Sequence, residues 1–146
     1  MKKILFVVIL LLVLVPAAPV SAGPKAPVGD KMLWQGDISF PANEPFHREH
    51  GWLVPLGDYP IGGFNFVLEV DGEVIKPSYK INERVRATNE FKKTNVYNFP
   101  DGMTGVHIFT GYYYVPCQYF LDYSEGTCTV GSSVLLYTLE MTVTFD

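Results

Sequence analysis

The sequence predicts an all-β domain, a two-sheet antiparallel β-sandwich of seven or eight strands. Three observations carry that expectation. Leu135, Tyr137, Leu139, Met141, Val143 and Phe145 alternate with Leu136, Thr138, Glu140, Thr142 and Thr144, which is the period of two of a half-buried strand. Val106 to Val115 is β-branched and aromatic throughout and offers that strand a partner. Short apolar runs separated by turn residues fill the rest of the chain, and no stretch beyond the first 22 residues reads as a convincing helix.

Residues 1–22 read as a signal peptide. Lys2 and Lys3 precede an apolar run of 12 residues, Ile4 to Val15, and Val20-Ser21-Ala22 ends in small residues that suit cleavage near Ala22. Twelve apolar residues fall short of the roughly 20 that span a bilayer. The expected location is therefore secreted or extracytoplasmic, with no membrane span after cleavage. The mature chain would hold 124 residues, enough for one core. Losing Lys2 and Lys3 leaves 9 Lys and Arg against 15 Asp and Glu, a net charge of −6. An acidic surface repels phosphate backbones, so nucleic acid is not expected as a partner.

Residues 23–30, GPKAPVGD, read as a flexible leader before a domain spanning 31–146. Met32, Trp34, Ile38 and Phe40 share one parity across Lys31 to Phe40, a first strand. Pro41, Pro45, Pro55 and Pro60 make residues 41–63 the least regular region, with room for a short edge strand at Trp52 to Leu56. Phe64, Phe66, Leu68 and Val70 form one face of a strand that turns at Asp71-Gly72, a pair suited to positive φ, and returns over Glu73 to Lys76. Ser78 to Ala87 alternates again. Its expected sense is Tyr79, Ile81 and Val85 inward, with Lys80, Asn82, Arg84 and Arg86 outward. Val96 to Phe99 is a short strand before the Pro100-Asp101-Gly102 turn.

Cys117 and Cys128 are the only cysteines, and in an exported chain they read as one disulfide across the connection between the last two strands. Closing that loop would stabilise the fold by about 3 kcal/mol in the chain-entropy account.

The stretch Phe99-Pro100-Asp101-Gly102-Met103-Thr104-Gly105-Val106-His107-Ile108-Phe109 resembles the corner that leads into the penultimate strand of immunoglobulin-like and fibronectin type III-like modules. His107 stands where those modules usually carry a tyrosine, and both cysteines lie in one late connection rather than bridging the sheets. Over Lys31 to Asp146 the resemblance implies an immunoglobulin-like strand order. It implies no particular function, because such modules serve adhesion, ligand binding and spacing alike.

Three candidate sites follow. Tyr112, Tyr113 and Tyr114 are consecutive, so Tyr113 must face opposite to its neighbours. Tyr119, Phe120 and Tyr123 add aromatics in the clipped connection. Tyr112, Tyr114, Tyr119, Phe120 and Tyr123 are the expected binding region, suited to packing on a protein or stacking on a glycan at the cell surface. Folding of Tyr119, Phe120 and Tyr123 onto the sheet as a satellite cluster is the alternative. His47, Glu49 and His50 are weak metal candidates beside Glu44, since the two histidines are three apart in a proline-flanked stretch rather than four apart on a helix. Six of the nine mature cations, Lys76, Lys80, Arg84, Arg86, Lys92 and Lys93, crowd one segment, as a patch for anions or as the charged face of an edge strand.

No GxSxG motif and no facing carboxylate pair supports hydrolytic chemistry. The functional expectation is a non-catalytic exported interaction module needing no cofactor. A carbohydrate-binding module is the alternative, followed by a metal-dependent enzyme.

Overall fold

A computed structural model describes residues 27–34, 36–55 and 59–146. The signal peptide and the first four residues of the leader lie outside the described residues.

Nine strands and one short helix are found there: β1 (Asp30–Met32), β2 (Ile38–Phe40), β3 (Phe46–Pro55), β4 (Asn65–Val70), β5 (Glu73–Ile75), β6 (Tyr79–Val85), β7 (Glu90–Phe99), β8 (Gly105–Pro116), α1 (Cys117–Tyr123) and β9 (Ser133–Phe145). They form a four-stranded sheet in the order β1-β3-β7-β6 and a five-stranded sheet in the order β2-β9-β8-β4-β5. The all-β, two-sheet expectation holds, with two differences in strand pairing. The single first strand is split, because the chain leaves one sheet after Met32 and joins the other at Ile38. Both pieces pair in parallel, β1 with β3 and β2 with β9, so each sheet is mixed.

The expected hairpin of the last two strands is present. β8 and β9 pair antiparallel from Gly105↔Phe145 to Pro116↔Ser133. A bulge between Tyr113 and Tyr114 leaves Leu136 without an opposite number, which carries Leu135 to the outer face beside Tyr114. The Asp71-Gly72 turn is present too, with positive φ of 53° and 82°, joining β4 to β5.

The ten-residue β3 corrects the reading of residues 41–63 as irregular. Pro45 and Pro55 stand at its ends, where a missing N–H costs little, so the prolines delimit the strand rather than break it. His47 ties it to the leader, its Nδ1 standing 3.1 Å from the Val28 carbonyl and 3.2 Å from that of Gly29. β7 likewise extends well N-terminal of Val96, because Phe91 to Asn95 pair with β3 on one side and β6 on the other.

The core lies between the sheets. At one end Phe46 stacks on Phe99 with centroids 4.5 Å apart and packs 5.1 Å from Phe145. At the centre Phe66 receives the His50 ring at 3.6 Å, nearly parallel at 11°, with Trp52 and Trp34 beyond it. Gly111 faces this cluster, and a Cβ there would stand 2.5 Å from the Phe66 ring, so the close approach requires glycine. The sense of β6 is the reverse of the expected one. Lys80 pairs with the inward Asn95, and Tyr79 with Val96 on the outer side, so Lys80, Asn82 and Arg84 face the inter-sheet side. β6 is an edge strand that the other sheet does not cover, and so neither of its faces is fixed by burial.

Candidate interaction face

The outer face of the five-stranded sheet is built by strand alternation on both sides of β8. Phe109, Tyr113 and Val115 point into the core, which sends Val106, Ile108, Tyr112 and Tyr114 outward. Register places Val67 and Thr138 beside Tyr112, Asn65 and Leu135 beside Tyr114, and Glu69 and Glu140 beside Thr110. Val74 joins this face opposite Glu69. Val106 is 64% exposed, Val74 57%, Ile108 46% and Leu135 44%, so four large aliphatic side chains on one face remain in water. The outer face of the other sheet carries Leu53 and Ile81 as exposed aliphatics, set among His47, Glu49, Glu83 and Lys92.

Tyr112 and Tyr114 are half-buried on this face. The Tyr112 hydroxyl donates to a Glu69 carboxylate oxygen at 3.0 Å, a bond that raises the phenol above its ordinary range. That bond ties the Tyr112 side chain to the neighbouring strand β4. At the end of β8 next to the Asp71 turn the face is fixed electrostatically. Asp71 accepts from the Ile108 N–H at 2.8 Å, and its other carboxylate oxygen lies 2.6 Å from His107 Nδ1. His107 Nε2 stands 2.9 Å from the Thr104 carbonyl, so both ring nitrogens face acceptors. The bond to Asp71 raises the imidazole above its ordinary value, and the bonds from Ile108 and His107 hold the Asp71 carboxyl below its own.

Tyr119, Phe120 and Tyr123 lie elsewhere. They sit on α1, a helical turn begun after Pro116 and closed by the Ser124 N–H on the Phe120 carbonyl. Its presence corrects the expectation of no helix. The i,i+4 spacing of Tyr119 and Tyr123, whose rings are 4.8 Å apart, was the available signal. Tyr119 packs 5.1 Å from Phe64 and 5.1 Å from Tyr59, and Tyr59 donates to Asp122 at 2.8 Å. Tyr119 and Phe120 are thus packed against the core, whereas Tyr123 is 69% exposed. The five aromatics divide between a sheet face and a satellite cluster. Cys117 and Cys128 form the expected disulfide, with Cα atoms 5.8 Å apart, and tie α1 to the loop before β9.

The metal candidates separate across β3. His47 and Glu49 are on its outer face 3.8 Å apart, with Lys31 also on Glu49, while His50 points into the core. Among the described residues no group of three His, Cys, Asp or Glu is placed to hold a metal ion.

Arg48 and His50 were not singled out as core residues by their sequence, yet both are buried on the inner face of β3. The Arg48 guanidinium lies 3.9 Å over the Trp34 ring and donates to the Met32 carbonyl, while Nε and Nη2 have no partner. Burial lowers it to about 9. Burial, and then the Arg48 charge, push His50 down to about 4, so a neutral ring lies on Phe66. The signal available was parity with Phe46, Trp52 and Val54, once the stretch is taken as a strand.

Among the described residues no helix is long and apolar enough to cross a membrane. No family model, no curated protein and no solved structure matches this chain.

Proposed function

We propose that the chain is an exported, non-catalytic interaction module, an immunoglobulin-like sandwich that binds another protein at the cell surface or envelope through the outer face of its five-stranded sheet. The observation that carries this reading is the set of exposed Val74, Val106, Ile108 and Leu135 around Tyr112 and Tyr114 on one face. β8 and β9 over the span from Val106 to Tyr114, with the six-residue β4 and the three-residue β2 and β5, give a face on the order of 400 Å², about half of the ~800 Å² each partner contributes to a standard interface. Branched aliphatic side chains gain from burial against a protein's apolar surface and offer a sugar little. That favours a protein partner over a glycan.

The strand order supports the immunoglobulin-like reading. The orders β1-β3-β7-β6 and β4-β8-β9 are those of the ABED and CFG sheets, with β5 added beside β4 and β2 beside β9, while the parallel β1–β3 and β2–β9 pairs depart from wholly antiparallel sheets. His107 bonds the backbone three residues upstream, as the corner tyrosine of such modules does. The disulfide suits an oxidising compartment, and with the expected signal peptide at residues 1–22 it supports export.

The test is a photoreactive residue placed at Ile108, or at Ile81 as control, in the chain as expressed by its own cells. A discrete covalent protein adduct from position 108 and none from 81 is expected. Identical adducts from both positions, or none from 108, would count against the assignment of the face.

A further inference from the structure

A pocket of about 150 Å³ opens between the sheets where β5 and β6 form their neighbouring edges. Its wall is apolar, made by Phe66, Val74, Ile75 and Pro77. Lys76 and Lys80 line the same opening, and Tyr97 and Asn95, 1% and 3% exposed, form its polar floor. We propose that this pocket binds a carboxylate attached to a short aliphatic tail, the acid meeting Lys80, Lys76 and the Tyr97 hydroxyl and the tail lying on Ile75 and Pro77.

Three observations support this assignment. First, the reversed sense of β6 sets Lys80 opposite Asn95, on the side that lines the pocket. Lys93 is its neighbour there, and Lys80's charge, after burial, lowers the Lys93 ammonium. Second, the Lys93 ammonium donates to the Phe64 carbonyl at 3.1 Å, and among the described residues no carboxylate pairs with Lys76 or Lys80. Two lysines lining an opening with an apolar wall are stabilised by an anion brought from outside. Third, the Tyr97 hydroxyl accepts from Asn95 Nδ2 at 3.2 Å and keeps its own proton to donate, and burial pushes that phenol up to about 12. Asn95 is itself fixed by a second bond, to the Phe66 carbonyl at 3.2 Å. A buried, protonated hydroxyl in the floor and two lysines in the lining of the same pocket offer a carboxylate several donors, and charge-assisted bonds are the strong ones.

The volume limits the tail. About 150 Å³ holds a carboxyl group and a few methylenes, the water it displaces occupying about 30 Å³ per molecule. A free short-chain acid and the C-terminal carboxylate of a chain ending in a small aliphatic residue share this chemistry. The pocket shares Val67 and Val74 with the edge of the outer sheet face, but Lys76, Lys80, Asn95 and Tyr97 lie outside that face and the proposal does not rest on it.

The test is titration of the full chain with butyrate, followed by amide shifts. Saturable shifts at Ile75, Lys80 and Tyr97 are expected with butyrate and not with butyramide. Lys80→Ala should weaken binding about tenfold, the loss of one charge-assisted bond, with thermal stability unchanged because Lys80 is exposed. Tyr97→Phe should weaken it less while keeping the ring. Ile108→Asp should leave it unaltered. Tighter binding of acetyl-Ala-Val than of butyrate, lost on C-terminal amidation, would identify a chain terminus as the source, and the reverse order a free acid. Unsaturable shifts, equal response to butyramide, displacement by equimolar inorganic phosphate, or wild-type affinity in Lys80→Ala would each overturn the proposal.

Discussion

His107 and Asp71 meet across the end of the five-stranded sheet, Nδ1 to carboxylate, at 2.6 Å, and so lock the β4–β5 turn onto β8. Because His107 is raised in the folded chain, its contribution is full below the imidazole's ordinary value and is lost as pH rises through the raised one. Because Asp71 is lowered, its contribution is full above the ordinary carboxylate value and is lost as pH falls through the lowered one. Between those limits the pair stabilises the turn. Thermal melts of wild type and Asp71→Asn from pH 5 to 9 should differ most near the acid end of that range and converge toward the alkaline end. A constant difference across the series would contradict the assignment.

His50 titrates with the opposite sense. Held near 4 by burial among Phe66, Trp52 and Tyr113, it stays neutral when folded, while the unfolded chain takes up a proton from about pH 6.5 downward. Stability should fall by a few kcal/mol between about pH 6.5 and 4 on this account alone. His50→Leu should flatten that limb in chemical denaturation at pH 4.5 and 6.5. An unchanged acid limb in the variant would place the sensitivity elsewhere.

Arg48 is buried with two guanidinium nitrogens unpartnered, and among the described residues no carboxylate pairs with it. A buried charge without a counter-ion stabilises less than an apolar side chain of similar length. Arg48→Met should therefore melt at or above the wild-type temperature, whereas Arg48→Ala should cost about 2–4 kcal/mol through the void it leaves. A loss in Arg48→Met as large as that in Arg48→Ala would mean that the guanidinium itself holds β1 to β3.

The disulfide bounds a loop that contains α1 and the Tyr119 cluster. Replacing Cys117 and Cys128 together by alanine should lower unfolding stability by about 2–4 kcal/mol, measured in urea. Amide exchange should rise in α1 first and leave β3 and β7 protected.

Where a strand is long, unbroken and covered on one side, its pattern is readable without coordinates, and β8 with β9 is the case in point. The tight turn at Asp71-Gly72 is equally legible, because backbone geometry there demands those residue types. β3 was hidden for a physical reason. His47-Arg48-Glu49-His50-Gly51 is polar on both parities, and only tertiary burial shows that Arg48 and His50 occupy the core side. β6 was legible as alternating but not in its sense, since its apolar parity, Tyr79, Ile81 and Val85, lies on the outer face of an overhanging edge strand that the other sheet does not cover. The outward Tyr112 and Tyr114 followed from alternation alone, but the aliphatic residues around them come from β5, β8 and the bulged end of β9, whose register no local pattern reveals.

The outer sheet face is the centre of this account, and oxidative footprinting tests it most directly, comparing the purified chain with the chain in its own cell-surface fraction. Labelling of Ile108, Tyr112, Tyr114 and Leu135 should drop severalfold in the surface fraction while Leu53 and Ile81 label as before. Equal labelling of all six residues in both preparations would contradict it.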